Sequence, residues 1–162
     1  DRGDAEIRDT IKLRQTRPFV VKEQGYLVPK KSIFNRIIGD SHLELLFASF
    51  LDSCSDVAAY AKNYFAVNFK LDYVNADGSI SNYYPDFIVR LSDGRKVIVE
   101  TKGLEDLDVP LKMARLRQWC EDINAAQSDT VFDFAYVDEE NFKKHTPKSF
   151  KDLLAGFREY KD

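Results

Sequence analysis

Residues 84 to 103 set a Pro85-Asp86 pair ahead of an apolar run, then a glycine turn, a second apolar run and Glu100-Thr101-Lys102. Carboxylates are hard oxygen donors that suit Mg²⁺, with Mn²⁺ as a substitute. A lysine beside them can orient a water or offset charge on a phosphate. Gathered at one end of a β-hairpin, Asp86, Glu100 and Lys102 would hold the ion against a phosphodiester, with the Thr101 carbonyl as a further ligand. The ion would lower the pKa of a bound water and neutralise charge that builds in the transition state.

Strand geometry makes the convergence specific. Glu100 and Lys102 are two apart, so both leave one face of their strand while Val97, Val99 and Thr101 leave the other. Pairing that apolar face with Phe87, Val89 and Leu91 turns Asp86, Ile88 and Arg90 toward the Glu100 side. The expected register sets 87 opposite 101, 89 opposite 99 and 92 opposite 96, so Asp86 lies across from Lys102 and diagonal to Glu100. Such a turn holds an odd number of residues or a bulge; a plain two-residue Asp93-Gly94 turn breaks it.

Simpler roles exist for each residue. Asp86 can cap a strand after Pro85, and Glu100 with Lys102 can form a solvated polar edge. Against this stands the insertion of Glu100 into an otherwise apolar Val97-Ile98-Val99 run. Glu44 shares a helical stripe with Phe47, Ala48 and Leu51 and so points inward. It is a candidate further ligand for the metal or its water, but Ser41-x-x-Glu44 is equally a capping box. Lys62, Lys112 and Arg115 are candidate contacts to a DNA backbone, or simply solvated helix faces. Trp119 reads as core.

The elements that must position these residues follow from periodicity. Residues 1 to 29 carry no sustained period and read as extended, with a strand or two. From Ser41, apolar residues recur at helical spacing through Leu43, Phe47, Phe50 and Leu51 and on through Val57, Ala58, Ala61 and Phe65, with a possible break near Asp52-Ser53. Residues 65 to 74 alternate as a half-buried strand ending at Asn75-Ala76-Asp77-Gly78. Strands over 86 to 91 and 96 to 102 follow, joined by Ser92-Asp93-Gly94-Arg95, and the three strands form a meander. A helix over 109 to 126, a strand over 131 to 137 and a short helix over 150 to 160 complete the order α-β-β-β-α-β-α.

The chain of 162 residues is read as one domain, with an extension over 1 to 29, a core over 30 to 137 and a C-terminal helix or tail over 138 to 162. No apolar run approaches the roughly 18 residues that span a membrane, and no charged n-region followed by an apolar stretch opens the chain, so a cytoplasmic location is the default expectation. Cys54 and Cys120, with His42 and His145, match no zinc spacing and are expected as reduced thiols. The net charge of −3 argues against a general polyanion binder but leaves room for a local basic patch. The first residue is Asp1 rather than Met, and the expectation is a piece of a longer polypeptide.

Pro85-Asp86 and Glu100-Thr101-Lys102 resemble the two half-motifs of the PD-(D/E)xK nuclease superfamily. The succession Lys31-Ser32-Ile33-Phe34-Asn35, residues 41 to 51 with Glu44, Ala61-Lys62-Asn63, Tyr83-Tyr84-Pro85-Asp86-Phe87, Glu100-Thr101-Lys102-Gly103 and Trp119-Cys120 is similar to the C-terminal endonuclease domain of type III restriction enzyme subunits. The resemblance covers roughly residues 30 to 137. It implies an α/β, restriction-endonuclease-like core: a central four-stranded mixed sheet flanked by helices, in the order α-β-β-β-α-β. It also implies Mg²⁺-dependent hydrolysis of DNA phosphodiesters, with Asp86, Glu100 and Glu44 as metal ligands and Lys102 as the catalytic lysine. The implied partners are DNA, a superfamily 2 helicase-like ATPase region in the same chain, and a modification or specificity subunit. The Gln-x-x-x-Tyr pattern of RecB-like members is absent, because Asp122 stands four places after Gln118. Two alternatives share the scaffold: an inert module that docks DNA or a partner, and a dimeric resolvase-like nuclease.

Overall fold

Residues 42 to 53 contain no Gly, Pro or β-branched residue, and a serine precedes them: the conditions for a capped helix. Helix α1 (His42–Ser53) starts there, with the Ser41 hydroxyl accepting from the Glu44 amide at 3.3 Å and the Glu44 side chain accepting from the Ser41 amide. Its buried residues Leu43, Phe47, Ala48, Phe50 and Leu51 form one stripe. Ser41→Ala is expected to cost about 1 kcal/mol, read as a lower urea midpoint at unchanged slope; an unchanged midpoint would show that the cap contributes nothing.

The computed structural model describes residues 5–20, 25–103 and 106–162. Among these, the protein is mixed α/β with four α-helices. After a short 3₁₀ turn (Leu13–Gln15), the strands are β1 (Tyr26–Leu27), β2 (Ile37–Ile38), β3 (Val57–Lys62), β4 (Leu71–Val74), β5 (Ile80–Tyr83), β6 (Phe87–Leu91), β7 (Lys96–Lys102) and β8 (Phe132–Asp138). The remaining helices are α2 (Val109–Ala126), α3 (Glu139–His145) and α4 (Phe150–Gly156). Of the strands expected within residues 1 to 29, β1 is present; residues 1–4 and 21–24 lie outside the described residues.

The central sheet is four-stranded and mixed, in the order β3-β6-β7-β8, antiparallel except for the parallel β7–β8 pair. Both faces are covered. Phe87, Val89, Val97 and Val99 pack under α1 and α4 residues such as Phe47, Leu51, Phe150 and Leu153. Ile98, Phe134 and Tyr136 pack on the other face, against Met113 and Leu116 of α2. Segment 31 to 33 runs along the outer edge of β3, with Tyr60 N–H donating to the Lys31 carbonyl at 3.2 Å and Ile33 N–H donating to that of Tyr60 at 3.0 Å. An otherwise open strand edge is thereby covered.

Two sequence expectations are corrected. The helical spacing from Val57 to Phe65 does not continue the helix. Residues 57 to 62 are β3, paired to β6, and Phe65 is 82 % exposed, so it belongs to no buried stripe. Pairing satisfies the backbone of this Ala-rich segment and buries Tyr60, which outweighs its helix propensity. The strand expected over 65 to 74 is only β4. Its alternation is real, with Val67, Leu71 and Tyr73 buried, but Asn68 at φ 59° breaks the run. β4 joins β5 in a separate two-stranded sheet, so the expected meander of three strands is replaced by β3 beside β6. Strand β5 and helix α3 were not anticipated; β5 is half polar and α3 is short, so neither carries a strong period.

The Gly94 turn, α2 and β8 form where the sequence places them. Leu91 N–H donates to the Arg95 carbonyl at 2.8 Å, which closes a three-residue loop over Ser92, Asp93 and Gly94. Gly94 takes φ 92°, a conformation costly for any residue with a Cβ. At the start of α2, Pro110 occupies a position needing no amide donor. Asp108 ties that end to the β4–β5 turn by accepting from Tyr73 Oη at 2.9 Å and Ala76 N at 3.0 Å. No helix among the described residues is long and apolar enough to cross a membrane.

Candidate metal centre

The hairpin holds the polar groups at its open end, but in a register two residues from that expected. Phe87 pairs with Val99 and Val89 with Val97, rather than with Thr101 and Val99. The odd loop survives, and Phe87, Val89, Val97, Val99 and Thr101 are all buried, but the Asp86 carboxylate turns to the Thr101 and Lys62 side instead of the expected Glu100 face. Asp86 lies just before the paired run and is not across from Lys102, while its charge acts on Glu100. Its amide donates to the Val99 carbonyl at 3.1 Å.

Asp86 is tightly held. Its Oδ2 accepts from both the amide and the hydroxyl of Thr101, each at 2.8 Å. Thr101 thus acts here as a double donor that orients the aspartate. Glu100 lies on the α2 side, where Tyr83 Oη donates to its Oε2 at 2.9 Å. Burial first, and then the charge of Asp86, holds the Glu100 carboxyl well above the usual carboxylate range. Tyr83 is itself raised by burial and by Glu100, so its hydroxyl remains a donor. A carboxyl raised by burial and by a neighbouring negative charge, as Glu100 is, is one whose ionised form a hard divalent ion would favour.

Glu44 does not join that pair. Its Oε2 accepts from the amides of Asp40 at 2.5 Å and Ser41 at 3.3 Å, completing the capping box, while Oε1 lies 3.5 Å from Lys62 Nζ. It reaches Asp86 only through Lys62, whose Nζ is 3.7 Å from Asp86 Oδ1. Burial is the main reason its carboxyl is raised, against the lowering effect of Lys62. Among the described residues no group of three or more His, Cys, Asp or Glu side chains could hold a metal ion. Glu44, expected as a ligand, is engaged here in a cap and an ion pair. Of the carboxylates expected as ligands, Asp86 and Glu100 are left as candidates.

The lysines are also rearranged relative to expectation. Lys102 Nζ sits 3.0 Å from Asp106 Oδ2, and Lys112 reaches the same carboxylate at 3.9 Å. Lys102 and Lys112 still lower the Glu100 pKa, so they remain part of its field. Lys62, expected at the DNA surface, is 4 % exposed. Arg115 is partly buried, its Nε donating to the Asp72 carbonyl at 3.0 Å. Trp119 packs edge-on between Phe69 and Phe132, with ring centroids 5.2 Å from each, as a core residue.

Sequence reasoning missed the linkage made by Asn63. This buried side chain donates to the carbonyls of Phe69 at 2.7 Å and Pro85 at 2.8 Å, and its amide donates to the Asp86 carbonyl at 2.7 Å. It fastens the end of β3 to the start of β6, which is how Lys62 comes to face Asp86. Its position directly after Lys62 was the available signal. Both cysteines are buried and free, and burial pushes each thiol up to about 12. No family model, curated protein or solved structure matches this chain.

Proposed function

We propose that the chain is a Mg²⁺-dependent DNA endonuclease domain with a restriction-endonuclease-like core, resembling the cleavage domain of type III restriction enzymes. The observation that supports this reading is that Asp86, held by Thr101, and Glu100, held by Tyr83, both lie at the open end of the β6–β7 hairpin, where burial and the charge of Asp86 raise the Glu100 carboxyl. A bound divalent ion would supply a water of lowered pKa and neutralise phosphate charge. The chain's own contribution is orientation: Thr101 fixes Asp86, Tyr83 fixes Glu100, and Lys102 and Lys112 supply positive potential on the α2 side. DNA is the proposed substrate, delivered by a helicase-like region of the same polypeptide and a specificity subunit.

One observation favours a second reading, an inert docking scaffold: Lys102 is paired with Asp106 rather than with the carboxylate pair. Incubation of the chain with supercoiled plasmid and Mg²⁺ separates the two. Nicked or linear product that disappears on chelation is expected. A plasmid left intact in both Mg²⁺ and Mn²⁺, by protein that binds DNA, would establish the docking role instead.

A further inference from the structure

We infer that Lys62 is a resident cation in the place of a second metal ion, so that the site takes one divalent ion rather than two. This rests on the metal-dependent reading of Asp86 and Glu100 and deepens it. Lys62 ends β3 with its side chain 5 % exposed, its Nζ between Glu44 Oε1 and Asp86 Oδ1 at 3.5 and 3.7 Å. The rings of Phe87 and Tyr64 flank the ammonium, with centroids at 5.6 and 5.9 Å. An ammonium removed from water is tolerated only when anions surround it, and here two carboxylates from different elements do so.

The outer oxygens of both carboxylates are already assigned. Glu44 Oε2 serves the cap, and Asp86 Oδ2 serves Thr101. The oxygens left over, Glu44 Oε1 and Asp86 Oδ1, both turn to Lys62. In two-ion phosphodiester chemistry, ions stand roughly 3.5–4 Å apart and share carboxylates. Asp86 shares Lys62 with Glu44, and its charge also acts on Glu100, so it is the carboxylate common to both positions. The second position is filled by an ammonium tethered to β3. A covalently attached charge cannot be diluted or chelated away, so it keeps Asp86 paired whether or not an ion is bound.

Counting Mn²⁺ tests this without reference to cleavage. Titration followed by electron paramagnetic resonance of free Mn²⁺ is expected to give about one ion per wild-type chain and about two for Lys62→Ala, whose lost side chain leaves room for a hydrated ion. Adding Glu44→Gln to Lys62→Ala is expected to return the count to one, and Glu44→Gln alone to leave it at one. Two ions on the wild-type chain, or one on folded Lys62→Ala, would overturn the inference while leaving the nuclease reading standing. Loss of the ion from Glu44→Gln alone would also overturn it, by placing Glu44 among the ligands of the first ion. No ion on the wild-type chain would sink both readings. Should Lys62→Ala melt below the assay temperature, Lys62→Gln takes its place, and the wild-type and Glu44→Gln counts decide by themselves.

Discussion

Asp86→Ala is expected to reduce Mg²⁺-dependent plasmid cleavage by a factor on the order of 10³ or more, because a metal-linked carboxylate supports several kcal/mol of transition-state stabilisation. Two consequences of the substitution can be separated. The Thr101 amide and hydroxyl lose the acceptor that both use, which is a structural effect, and Glu100 loses the neighbour whose charge raises its pKa, which is an electrostatic one. Asp86→Asn keeps an oxygen acceptor for Thr101 while removing the charge. Cleavage lost equally in both variants, with melting temperature preserved in Asp86→Asn, would locate the role in the charge. Lys102→Ala is expected to fall in the same direction. Cleavage unchanged by Asp86→Ala and Lys102→Ala would remove the basis for the assignment.

The second large effect belongs to the core. Phe47→Ala is expected to destabilise the fold by roughly 3–5 kcal/mol, since the ring is fully buried and lies 5.2 Å from Phe87, 5.7 Å from Phe50 and 5.7 Å from Phe142. The four rings bind α1 to β6 and α3. Chemical denaturation reads the loss as a lowered midpoint with the slope unchanged. A loss below about 1 kcal/mol would mean that α1 is not seated on the sheet as described. Because α1 also carries Glu44, the same variant is expected to loosen the Lys62 pairing, which couples the core to the candidate site through one helix.

Much of the candidate site is readable residue by residue, and the reason is that its signals are local. Pro85-Asp86 and Glu100-Thr101-Lys102 sit at the ends of two apolar runs, and Gly94 identifies the turn that joins them. The parity of that turn decides which side chains share a face, and parity was legible. Register was not: a slip of two residues preserves every face and so leaves no mark in the hydrophobic pattern. Only the closing Leu91 and Arg95 contact, set by the three-residue loop, puts Phe87 opposite Val99 and so decides where Asp86 enters the hairpin.

The sequence by itself determined the capped start of α1, the β6–β7 hairpin, the long helix α2 and strand β8, because caps, glycine turns and periodicity act over a few neighbouring residues. Tertiary structure alone decided that residues 57 to 62 become a strand, since β6 on one edge and segment 31 to 33 on the other offer their backbone partners that outcompete helix. The same decision carries Lys62 from an expected surface position into the space between Glu44 and Asp86. What a buried charge pairs with depends on groups far apart in the chain, 18 residues for Glu44 and 24 for Asp86, and no local pattern encodes that distance.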